Sequence, residues 1–74
     1  MSSKYPVLPP SKIIYILNKL GFKKISQKGS HIKLKNYYTN KICIVPSHNE
    51  VAKGTFKSIL EQADVELELF LKYL

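Results

Sequence analysis

The chain has 74 residues, 45% of them hydrophobic, which suffices for one small packed domain and excludes wholesale disorder. A single cysteine, Cys43, excludes an internal disulfide, and with only His31 and His48 beside it a structural zinc site lacks ligands. The net charge of +7 hides an asymmetry: residues 1–49 hold nine lysines and no Asp or Glu, whereas all five acids lie in residues 50–74. Such a field favours a polyanionic partner, nucleic acid first. No apolar run is long enough to span a bilayer and no signal-peptide core is visible, so a soluble, cytoplasmic protein without a membrane partner is expected.

In chain order, residues 1–9, with Pro6 and Pro9, read as an extended arm. Ser11 is placed to cap a first helix over about residues 12–20, where Ile13, Ile16, Leu17 and Leu20 recur at helical spacing and Gly21 ends it. Phe22–Lys28 reads as a weaker strand, because Phe22 and Ile25 do not alternate cleanly. Gly29 then supplies the positive φ of a tight hairpin. From His31 to Lys35 the alternation is strict. It sends Ile32 and Leu34 to the core and His31, Lys33 and Lys35 to the other face.

Residues 36–40 are turn-rich, and Ile42–Val45 reads as a short third strand ending at Pro46. A polar loop over 46–54 contains His48. Thr55 is then expected to cap a second helix with Phe56, Ile59, Leu60 and Ala63 on one face. Asp64 ends it or caps a short terminal helix. The order helix, three antiparallel strands, helix, with a short C-terminal helical extension, is an α+β fold with helices on one sheet face.

The chemistry follows from the inventory. RNA cleavage through the ribose 2′-OH needs a base of near-neutral pKa, an acid for the leaving oxygen and positive charge for the phosphorane. His31, sharing a face with Lys33 and Lys35 and preceded by Lys28 and Gly29, has that combination. Carboxylate-held metal chemistry is disfavoured, since the basic section has no carboxylate. His31 alone can still be an ordinary surface residue, an RNA contact or a catalytic group. His48 reads as a loop or substrate contact. Lys53, Thr55 and Lys57 surround a helix start that can seat a phosphate, or are a plain cap with solvated lysines. Tyr37 and Tyr38 either stack on unpaired bases or pack across strands at the hairpin end, and packing is the expectation here. Cys43, among Ile42, Ile44 and Val45, is expected to be a buried thiol.

The blocks "KLGFKKISQKGSHIKLK" (19–35), "VPSH" (45–48) and "KGTFKSILEQADVELELFL" (53–71), with "PVLPPSKIIYILNKLGF" (6–22), resemble in order and spacing the HicA-type toxins of bacterial and archaeal toxin–antitoxin systems. The resemblance covers nearly the whole chain and implies a single HicA-like domain over residues 10–74 with a double-stranded-RNA-binding-like fold. It implies a metal-independent mRNA endonuclease that needs no cofactor, with the histidine of the Gly-Ser-His motif, His31, as general acid/base. A HicB-type antitoxin is the implied partner. RNA contacts are expected at Lys24, Lys28, Gly29, Ser30, Lys33, Lys35, Lys53, Thr55 and Lys57, with His48 secondary. A non-catalytic RNA-binding module of the same fold is the alternative.

Three departures from the family pattern bear on the site. Many relatives carry an arginine where this chain has Ser26, and this chain has no arginine; if that arginine binds phosphate, Lys24, Lys28 or Lys33 must substitute without a bidentate fork. Ile32 replaces a second histidine found in some relatives, at a position that alternation turns inward. Asp64 replaces a glycine, and Asp tolerates the left-handed conformation that a helix end requires.

Overall fold

The computed structural model describes residues 5–74; the part of the expected arm over residues 1–4 lies outside them. The elements are α1 (Pro10–Lys19), β1 (Phe22–Lys28), β2 (His31–Asn36), β3 (Ile42–Pro46), α2 (Lys53–Ala63) and α3 (Leu67–Leu71). The strands form one antiparallel sheet in the order β1-β2-β3, with α1 and α2 packed on it. This is the α+β, double-stranded-RNA-binding-like layout with a short C-terminal helix.

Both helix starts differ from the expected caps. Helix α1 begins at Pro10, with Pro9 extended as its N-cap and no side-chain cap, so Ser11 lies inside the first turn. A proline at the first helical position loses nothing, because its missing N–H would have had no helical partner. Helix α2 likewise starts two residues before Thr55, from Ala52, again with no side-chain cap. The helix ends follow the sequence. Gly21 takes a φ of 105° after α1, and Asp64 adopts the left-handed conformation at φ 59° after α2.

One sheet face is buried under the helices. Ile32 and Leu34 of β2 and Cys43 and Val45 of β3 meet Ile13, Ile16 and Leu17 of α1 and Phe56, Ile59 and Leu60 of α2. Each such side chain stabilises by about 1.5–3 kcal/mol when fully buried. The terminal segments close the core around Phe56. Phe70 of α3 packs edge-on to it with ring centroids 4.9 Å apart, and Tyr5 approaches from the other end at 5.9 Å. Five residues of helix are too short to persist alone, so the buried Phe70, with Leu67 packed against the core, holds α3 in place. The described part of the arm is docked, with the Val51 N–H donating to the Leu8 carbonyl at 2.9 Å.

Two features set the sheet's geometry. In β1, Lys24 pairs with Leu34 but Ser26 pairs with Lys33, so Ile25 is a β-bulge without a direct partner. That bulge is why Phe22 and Ile25 do not alternate. At the far end of β2, Asn36 is buried (6% exposed), whereas the sequence suggested only a turn residue. Its amide donates to the Leu20 carbonyl, and its oxygen accepts from the N–H groups of Tyr38 (2.8 Å) and Thr39 (3.2 Å). One side chain thus joins the end of α1 to the β2–β3 turn. Tyr37 and Tyr38 do not pack as expected; they are 59% and 90% exposed.

Asn36→Ala should cost about 1–3 kcal/mol, read as a lower urea midpoint, because three backbone groups lose a buried partner. Burial pushes the Cys43 thiol up from 9.0 to about 11. Native protein should therefore resist a thiol-specific disulfide reagent at pH 8 and react fully once denatured. Since the folded value lies above the unfolded one, this thiol's contribution to stability is complete below about pH 9 and is lost as the pH rises through about 11.

Candidate functional site: the open face of the sheet

The helices cover one face of the sheet and leave the other open. Residues directly opposite in an antiparallel pair share a face, with Cβ atoms about 4.5–5.5 Å apart. The register therefore sorts the open face into three cross-strand rows: Lys28, His31 and Pro46; Ser26, Lys33 and Ile44; Lys23, Lys35 and Ile42. Along the sheet this makes a basic column on β2, further lysines on β1, and an apolar column on β3. Ser26, Lys28, His31, Lys33 and Ile44 line an open concavity of about 480 Å³.

The hairpin that presents His31 is held from several directions. Gly29 has a φ of 60°, while Ser30 shows no positive φ, the pattern of a type II′ turn. A Cβ placed on Gly29 would meet nothing within 4 Å, so glycine serves the backbone conformation and leaves the space beside the turn free. The Gln27 amide donates to the Gly29 carbonyl at 3.1 Å, and the Ser47 N–H donates to the Ser30 carbonyl. On the sheet's outer edge, the Ile44 N–H donates to the Gln62 Oε1 of α2 at 3.2 Å. The concavity thus sits on backbone fixed by hydrogen bonds on both flanks.

The structure brings together only some of the residues expected at a site. Lys28, His31 and Lys33 line the concavity, Lys35 continues the column, and Gly29 and Ser30 form the turn above it. Lys24 is not brought there. It lies opposite Leu34, on the helix-covered side, and its ammonium donates to Gln27 Oε1 at 2.8 Å. Lys53, Thr55 and Lys57 are exposed in the first turns of α2, and His48 is exposed in the loop after β3; none of them lines the concavity. Five residues of the open face were not among the expected site residues: Lys23, Ser26, Ile42, Ile44 and Pro46. The signal for the first two was the broken alternation of β1. A bulge explains it, but its position was not read.

The chemical capacity of this face is plain. It offers one imidazole beside flexible cations, and every Asp and Glu lies in residues 50–68, after the last strand. Among the described residues, no three His, Cys, Asp or Glu side chains gather where they would hold a metal ion. No helix among them is long and apolar enough to cross a membrane.

Comparison with known proteins agrees with this layout. No curated protein matches the chain. The family described as the HicA toxin of bacterial toxin–antitoxin systems matches residues 10–65, which run from the first residue of α1 to just past α2. That span holds the sheet and hairpin and covers well over half of the chain, so this protein belongs to the HicA family and is the toxin of a toxin–antitoxin system.

Proposed function

We propose that this toxin is an endoribonuclease that cleaves mRNA without a metal ion, with His31 transferring protons at the scissile phosphate. The observation that carries the reading is the row Lys28–His31 at the mouth of a basic concavity on a face without carboxylates. In the step envisaged, the ribose 2′-oxygen loses its proton to a base and bonds to phosphorus. The bond from phosphorus to the 5′-oxygen breaks, and the departing oxygen takes a proton. The products are a 2′,3′-cyclic phosphate and a 5′-hydroxyl.

His31 suits either proton role, and Lys28, directly across the hairpin, suits neutralisation of the phosphorane or delivery of the second proton. Lys33, Lys35 and Lys23 would seat neighbouring phosphates, while Lys24, Lys53, Thr55 and Lys57 would serve more remote contacts. A HicB-type antitoxin is the partner expected to cover this face in the cytoplasm. The absence of a second imidazole from the lining of the concavity favours one rival, a non-catalytic RNA-binding module using the same lysines.

His31→Ala separates the two. The exposed side chain contributes little to the core, so the variant should keep the wild-type circular dichroism spectrum. It should lose about 10²- to 10⁴-fold in cleavage rate and no longer arrest growth. Undiminished cleavage by the folded variant would refute the mechanism, and intact RNA after long incubation with wild-type protein would establish the rival. Wild-type cleavage should persist in excess chelator. If Lys23, Lys28, Lys33 and Lys35 each neutralise one phosphate of a single strand, the logarithm of the affinity should fall against log salt with a slope of about −3.

A further inference from the structure

The column of His31, Lys33 and Lys35 continues past the end of β2. The Lys35 ammonium lies 5.0 Å from the centroid of the Tyr37 ring, so Tyr37 stands on the same side as Lys35, as the two-residue period requires. At about 3.3 Å per residue, the ring sits about 20 Å along the strand from His31. It is 59% exposed.

The turn that carries the ring is ordered without help from it. Asn36 accepts from the Tyr38 and Thr39 N–H groups, the Asn40 N–H donates to the Asn36 carbonyl at 2.7 Å, and Asn40 itself is left-handed at φ 63°. The turn backbone therefore does not depend on the Tyr37 ring, which is half exposed beside the Lys35 ammonium. Tyr38 differs: though 90% exposed, its ring lies beside Gly21 at the end of α1 and not along the lysine column.

We infer that Tyr37 is a stacking residue for an unpaired base of single-stranded RNA whose phosphates run along Lys35 and Lys33 toward His31. The inference rests on the RNA reading above and adds to it a binding residue remote from the chemistry. Charge complementarity selects the occupant, because Lys23, Lys33 and Lys35 share this face with no carboxylate. The strand form follows from the ring, which can stack only on a base not already enclosed in a duplex.

The probe is a short single-stranded RNA bearing 2′-O-methyl groups, which has no 2′-hydroxyl nucleophile and stays intact on the wild-type chain. Its affinity is followed by fluorescence anisotropy at low salt. Tyr37→Ala should weaken binding by about 5- to 150-fold, the range for one lost base stack. Tyr37→Phe should restore it, and Tyr38→Ala should match the wild type. Binding of a blunt RNA duplex should not change in Tyr37→Ala. Equal binding of the single strand by Tyr37→Ala and wild type, or failure of Tyr37→Phe to rescue, would overturn the stacking role alone. Unchanged RNA binding with weakened antitoxin capture would overturn it too, assigning the ring to a protein interface. Failure of the wild-type chain to bind either RNA would remove the RNA reading itself.

Discussion

The two-residue period of β2 is the constraint on which the rest of this structure depends. As the central strand it has neighbours on both sides, and its side chains alternate between a face buried by helices and a face open to solvent. Ile32, Leu34 and Asn36 point one way; His31, Lys33 and Lys35 point the other. A slip of one residue would bury a histidine and two lysines and expose two core side chains, a cost far beyond the stability of a domain this small. Register, core and charged face are thus a single choice.

That choice forces the bulge in β1. A two-residue hairpin sets Lys28 opposite His31, so both must lie on the open face. Phe22, six residues earlier, pairs with Asn36 and must lie on the buried face. Unbroken alternation would put Phe22 and Lys28 on the same side. One inserted residue, Ile25, reconciles the two ends and also turns Ser26 toward the concavity and leaves Lys24 behind. The site's composition is thus a consequence of how the hydrophobic anchor at one end of β1 is matched to the turn at the other.

Small size explains the attention to both ends of the chain. The sheet and two helices supply a limited core, and Phe56 would face solvent without cover from Tyr5 and Phe70. The N-terminal segment reaches the core through Tyr5 and the bridge between Leu8 and Val51, and α3 through Phe70 and Leu67. Asn36 does comparable work with hydrogen bonds, linking the end of α1 to the β2–β3 turn. None of these contacts touches the open face. Stability is gathered on one side of the sheet, and the other is left free to carry unopposed positive charge.

The amino-acid sequence by itself determined the element order, the core faces of α1, β2 and α2, the helix ends at Gly21 and Asp64, and the buried state of Cys43. All are local or periodic properties, written in spacings of two, three and four residues and in the conformational freedom of glycine and aspartate. It also marked His31, Lys33 and Lys35 as one face and carried the family resemblance. Only the tertiary structure decided which lysines join them. Lys23 and Lys24 are chemically identical neighbours on opposite faces, and a bulge at Ile25, set by the pairing of distant residues, decides that Lys23 and not Lys24 shares the face of Lys28 and His31. The role of Asn36 was hidden for the same reason: its partners include the end of a helix 16 residues away. The helix starts lie ahead of Ser11 and Thr55: Pro10 is preorganised for the first helical position, and α2 begins from Ala52 without a side-chain cap.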